Sequence, residues 1–161
     1  MKGILKVKEL AAYIAKRYYE KFNKEISPVR LQKTLYFSFA YWGGFIRKGK
    51  KQENPEIDVS NYSEYLFDSQ IQAWVYGPVV PDVYFEENIA QYENDELFNN
   101  DELLQTMIDN VIDETFEVND FKLVDISHSD DAWKINFDYD EQYHNREIDK
   151  EYIIEEYARR K

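Results

Sequence analysis

No cysteine occurs among the 161 residues. Disulfides, thiolate nucleophiles and cysteine-bound zinc are therefore excluded. No apolar run approaches the roughly 18 residues of a membrane-spanning helix, and the N-terminus has no signal-peptide hydrophobic region. The expected compartment is the cytoplasm, with no membrane partner. The five glycines (Gly3, Gly43, Gly44, Gly49 and Gly77) form no phosphate-cradling loop. The two histidines, His128 and His144, stand in no metal-ligand spacing, so a site built from them with Asp130 and Asp131 would be a chance cluster.

His128 sits in the run Ser127-His128-Ser129-Asp130-Asp131, which invites a triad. Adjacent residues of one turn cannot converge as nucleophile, base and orienting acid, and no Gly-x-Ser-x-Gly elbow accompanies the serine. His128 reads as a turn histidine hydrogen-bonded to backbone. Nothing singles out two of the 32 acids for glycoside chemistry. The chain reads as a non-enzyme without a cofactor.

One kind of charge is also missing over a long stretch. Between Gln52 and Phe121 there is no Lys or Arg, against 18 Asp and Glu. Residues 1–51 instead carry 13 bases and three acids, Glu9, Glu20 and Glu25. Three readings follow: the basic helices lie against the acidic remainder, the charges are solvated faces, or the protein offers an acidic face to a basic partner. Direct nucleic-acid binding is not expected. It would rest on Lys2, Lys6, Lys8, Lys16, Arg17, Lys21 and Lys24, which fit the solvated face of one helix on a chain of net charge −12.

What is present is apolar and aromatic: 14 Tyr, 10 Phe and three Trp, enough for a folded core. From Val7 to Phe22 the positions Val7, Leu10, Ala11, Ile14, Tyr18 and Phe22 make an amphipathic helix that Asn23 stops. Ser27-Pro28 opens a second helix, whose broad apolar arc through Leu31, Leu35, Tyr36, Phe39 and Trp42 predicts burial on more than one side. Gly43-Gly44 is expected to end it, followed by an exposed basic loop from Arg47 to about Asn61. Phe67 to Tyr76 alternates as a short strand does, with Trp74 and Tyr76 on the second face. A helix is expected from Pro81 to about Tyr92, and another after Asn99-Asn100-Asp101, with a stripe at Leu104, Met107, Ile108, Val111, Ile112 and Thr115. Phe121–Ile126 and Ala132–Phe137 read as extended segments flanking a turn. A last helix carries Ile148, Tyr152, Ile153 and Tyr157, with Asn145 as its cap.

The segment Ala73-Trp74-Val75-Tyr76-Gly77-Pro78-Val79-Val80-Pro81-Asp82-Val83-Tyr84 places aromatic and aliphatic residues around two prolines. Gly77 permits a backbone conformation other residues resist, Pro78 favours extension, and Pro81 suits a first helical turn beside Asp82. It reads as a fixed corner between a strand and a helix. Two alternatives stand for its large residues: pinning the corner to the core, or contacting a partner.

Three segments together resemble the SocA-like, or Panacea, domain of phage-associated and toxin–antitoxin proteins. They are Leu31-Gln32-Lys33-Thr34-Leu35-Tyr36-Phe37, the Ala73–Tyr84 segment, and Leu123-Val124-Asp125-Ile126-Ser127-His128 with Trp133 downstream. Thr34 stands where the family favours Leu, and the Arg47–Tyr62 loop is longer than usual. The resemblance implies a mainly helical domain that binds and neutralises a toxin encoded beside it. A related role is that of proteolytic adaptor to an ATP-dependent protease. Tyr36, Trp74, Tyr76, Gly77, Pro78, Pro81, Tyr84, His128 and Trp133 are the signature and partner-binding candidates. The expected fold is mainly α: a single compact domain over residues 1–161, of about five or six helices with a few short strands. The rival reading is a phage-borne acidic inhibitor of a host DNA-binding protein.

Overall fold

The computed structural model describes residues 3–140 and 145–160. Its first half holds helices α1 (Val7–Phe22) and α2 (Pro28–Lys50), strands β1 (Gln72–Trp74) and β2 (Gly77–Val79), and a one-turn helix α3 (Pro81–Tyr84). A 3-10 turn (Ile89–Gln91) leads to α4 (Glu102–Phe116), α5 (Asp120–His128), α6 (Asp131–Asn136), strand β3 (Arg146–Glu147) and α7 (Lys150–Ala158). The fold is mainly helical with a few short strands, as expected. Lys2 and His144 lie outside the described residues.

Local chemistry explains most boundaries. Asn23 ends α1 in the left-handed conformation (φ 55°), its N–H returning to the Tyr19 carbonyl. The Ser27 hydroxyl accepts from the Arg30 N–H and Pro28 takes the first helical position, so α2 starts where the sequence indicates. The Asp101 carboxylate likewise caps α4 by accepting from the Leu104 N–H at 3.0 Å. Leu104, Ile108, Val111, Ile112 and Thr115 are buried on one side of that helix.

α2 is the axis of the molecule, packed against α1, α4, α5, α7 and the hairpin. It does not end at Gly43-Gly44 but runs on to Lys50. Both glycines are buried against α7. A Cβ on Gly43 would lie 2.6 Å from Ile154 Cγ1, and one on Gly44 would lie 2.7 Å from Tyr157 Cβ. The glycine pair is therefore a close-approach surface between helices, not a stop signal. The basic residues beyond it are consequently helical. Arg47 is held by Glu64 and Glu151 at 2.7 Å each and by Glu155 at 3.3 Å. The exposed loop begins only after Lys50.

Four further expectations are corrected. Of Phe121–Ile126 and Ala132–Phe137, only Phe137 is extended: the other residues lie in α5 and α6. Asn119 caps α5 through its side chain, and the buried face is Leu123 and Ser127, with Phe121 86% exposed. A polar residue on the buried side hid the helical period. The N-terminus of α6 is capped from afar, the Glu156 carboxylate accepting from the Asp131 and Ala132 N–H groups at 2.9 Å each. The helix from Pro81 stops at Tyr84, since Glu86 turns its carboxylate onto the Asn88 N–H and a separate 3-10 turn follows. The cap of α7 is Asp149, accepting from the Glu151 N–H, and not Asn145.

The sheet order is β2-β1-β3, with both pairings antiparallel. Of these charge readings, the first describes Lys8, Lys16, Arg17, Arg30, Arg47 and Lys51, whereas Lys21, Lys24 and Lys50 stand exposed to solvent. Lys8 meets Glu86 at 3.2 Å, Lys16 meets Asp95 at 3.8 Å, Arg17 meets Asp113 at 2.7 Å and Arg30 meets Asp120 at 3.1 Å. The pairs of Lys16 and Arg17 are screened by solvent and orient α1 more than they stabilise it, whereas Arg30 is buried and also donates to the Thr115 and Val118 carbonyls.

Candidate protein-interaction surface

The β1–β2 hairpin is gripped from two sides by side chains that bind its backbone. A two-residue turn, Val75-Tyr76, joins Trp74 to its partner Gly77. Gly77 has φ +110°, and a Cβ there would stand 2.5 Å from Ser127 Oγ and 3.0 Å from Lys33 Cε. Both conformation and space therefore demand glycine. From α2, Lys33 Nζ donates to the Pro78 carbonyl at 2.8 Å. Its neighbour Gln32 accepts from the Val80 N–H at 2.7 Å and donates to the Val80 carbonyl at 3.3 Å. From α5 and α6, His128 Nε2 donates to the Val75 carbonyl at 2.9 Å and Trp133 Nε1 to the Trp74 carbonyl at 2.8 Å. The two rings stack, their centroids 4.0 Å apart.

Burial lowers the pKa of Lys33 to about 7, because the interior penalises its ammonium form. Burial also lowers that of His128, with the Lys33 amine acting in the same direction, against the Val75 carbonyl and Asp125. Tyr36 stands one helical turn beyond Lys33 and donates to Asp130 Oδ2 at 2.6 Å. Tyr157 and Arg160 also donate to that fully buried carboxylate, at 2.6 and 2.9 Å. Burial, with Tyr157 and Asp130 alongside, pushes the Tyr36 phenol well above its ordinary pKa.

The nine sequence candidates thus divide by place. Tyr36, Gly77, Pro78 and Trp133 are buried; Trp74, Pro81 and His128 are half-buried. Tyr76 and Tyr84 are 67% and 51% exposed. All but Tyr36 converge on the hairpin and the start of α3, whereas Tyr36 secures Asp130, just ahead of α6. The sequence candidates omitted Gln32, Lys33, Ser127, Asp130 and Phe85. The signal for the first two was available: adjacent polar residues in an apolar helical arc must find buried partners. Thr34 donates to the Arg30 carbonyl and faces the Thr115 hydroxyl at 3.2 Å.

Outward from this clamp lies an aromatic cluster. Trp74 and Tyr84 have centroids 4.9 Å apart, Tyr84 and Phe85 5.1 Å, and Phe85 is 70% exposed. The cluster borders a groove of about 760 Å³ between the hairpin and the first turns of α2. A second groove, about 900 Å³, runs between α1, the start of α2 and α3, and the two share Pro28, Gln32 and Tyr84. Exposed aromatic residues on a rigid support are the side chains that anchor protein–protein interfaces.

The chemistry available at the clamp is structural. The Ser127 hydroxyl donates to the Val124 carbonyl and the His128 imidazole to Val75, so neither faces the other as nucleophile and base. Among the described residues, no group of three or more His, Asp or Glu side chains is placed to hold a metal ion. No helix among them is long and apolar enough to cross a membrane.

No curated protein and no solved structure matches the chain. Residues 56–134 match the antitoxin SocA-like, Panacea domain. The matched stretch contains the hairpin, α3, α4, α5, His128 and Trp133, while the Gln32–Lys33 arm and α7 pack on it from outside. The similarity of the chain to the antitoxin SocA-like, Panacea domain thus rests on residues 56–134, just under half of its length.

Proposed function

We propose that the chain neutralises a toxin encoded beside it by binding it directly, through the aromatic face of the hairpin and α3, without catalysing a reaction. One observation carries this reading. Within the family-matched stretch, a backbone held by five side-chain hydrogen bonds presents Tyr76, Tyr84 and Phe85 to solvent. A preorganised surface loses little conformational entropy on binding, so its aromatic contacts translate into affinity. Tyr36, Gly77, Pro78 and Trp133 then act as supports, and Trp74, Tyr76 and Tyr84 as contacts. The protein works in the cytoplasm as one domain over residues 1–161. In its adaptor form it passes the bound toxin to an ATP-dependent protease.

The test is co-expression. The neighbouring reading frame arrests growth when expressed alone, and this chain restores growth when expressed with it. A neighbour that is harmless, or an arrest that persists, overturns the proposal. The adaptor form adds a shorter toxin half-life when chain and protease are both present. The rival reading, an acidic inhibitor of a DNA-binding protein, would instead give binding that falls steeply with salt and is displaced by DNA. Pairing of Lys8, Lys16, Arg17 and Arg47 with acids of the 52–121 region weakens the field that such mimicry needs.

A further inference from the structure

The groove between α1 and α3 points to the chemistry of the partner segment, and this inference rests on the antitoxin reading above. We propose that the groove receives an amphipathic helix of the toxin, seated by its apolar face and flanked by Lys or Arg.

The wall from α1 is a single helical face: Ala12, Ala15, Tyr19 and, at its edge, Lys16 and Glu20. Ala12 and Ala15 keep that wall flat, so another helix can approach closely. Opposite stand Leu31 of α2, Val83 and Tyr84 of α3, and Ile89 of the 3-10 turn. Most of this lining is helical, with Glu25, Ile26, Glu86, Glu87 and Asn94 in connecting loops, and none of it belongs to a strand. An extended segment entering here would find no strand edge to satisfy its own N–H and C=O groups. A helix brings its backbone already paired.

The charges on the rim select the sign of the flanks. Glu20, Glu25, Glu86 and Glu87 line the groove, against the one lining base, Lys16. Lys16 already faces Asp95, and Glu86 is held by Lys8. Among the described residues, no basic partner lies within salt-bridge distance of Glu20, Glu25 or Glu87. Three open carboxylates around an apolar floor favour a cationic helix and disfavour an anionic one.

The experiment uses the full chain and two fluorescein-labelled 18-residue probes with the same leucine face, one flanked by Lys and one by Glu. Anisotropy and circular dichroism are read together. The Lys probe should bind and gain helicity, at least tenfold more tightly than the Glu probe. The variant Glu20→Gln/Glu25→Gln/Glu87→Gln should weaken it at least tenfold, and Tyr19→Ala/Leu31→Ala likewise. Neutralising exposed acids away from the groove, Glu53→Gln/Glu56→Gln/Glu114→Gln, should change it less than threefold, which separates the site from bulk charge.

Equal loss in the two acid variants, equal binding of the two probes, or no binding of the Lys probe overturns the proposal. So does a homodimer that dissociates in Tyr19→Ala/Leu31→Ala, which would assign the groove to a second copy. The growth assay is read independently. Lys-probe binding without growth rescue sinks the antitoxin reading alone, and rescue without Lys-probe binding sinks the helix-in-groove proposal alone.

Discussion

The two sides of the Gln72–Phe85 segment are built from the same residue types and do opposite work. Toward α2, α5 and α6 its backbone is bonded by Gln32, Lys33, His128 and Trp133, and Gly77 leaves no room for a methyl group. Toward solvent, Tyr84 and Phe85 pack on one another and on Trp74, and Tyr76 stands exposed at the turn. The first side is costly to disturb and holds the fold; the second is cheap to change and is free to bind. The candidate residues named from the sequence lie on both sides, so sharing a motif does not separate support from exposed surface, whereas burial and bonding do.

The comparison breaks most sharply at Gly77. Gly77→Val adds backbone strain at φ +110° and a clash with Ser127. The expected loss is about 3–5 kcal/mol in chemical denaturation. A loss near zero would mean that the hairpin is not clamped there. Trp133→Phe keeps the stacked ring but leaves the Trp74 carbonyl without its donor. It should cost about 1–3 kcal/mol, with the aromatic cluster retained.

Lys33 offers a test by pH. Its folded pKa, about 7, lies below the ordinary 10.5, so above pH 7 the unfolded chain binds the extra proton. Stability attributable to Lys33 therefore rises as pH climbs from about 7 towards 10.5, and is lost as pH falls through 7. The slope approaches about 1.4 kcal/mol per pH unit. Lys33→Met removes that component, so the difference between wild type and variant should change steadily between pH 7 and 9.5. Parallel curves would show that Lys33 titrates in the fold as it does in water.

How much of this was legible depended on whether the signal was local. Asn23, Ser27-Pro28, Asp101 and Gly77 act on their own neighbours, and each does in the structure what its residue type implies. The extension of α2 was hidden because Gly43 and Gly44 answer to Ile154 and Tyr157, more than a hundred residues away. α6 was hidden because its cap is Glu156, and α5 because a buried Ser127 interrupts the apolar stripe. The division of the signature was hidden for the same reason: Tyr36 and Tyr84 look alike in sequence, yet one meets Asp130 and the other meets water. His128 is bonded to backbone, as its setting in the sequence implies, although it ends a helix and does not sit in a turn.

The smallest effect on stability should accompany the largest effect on function, and that pairing is the direct test of the account. In Tyr84→Ala/Phe85→Ala, both exposed rings are removed and no clamp residue is touched. Its denaturation midpoint should correspond to a loss of no more than about 1 kcal/mol. Co-expressed with the toxic neighbour, it should fail to restore growth, with binding to the purified toxin weakened at least a hundredfold. A variant that folds as well as wild type and still neutralises the toxin fully would contradict the assignment of this face.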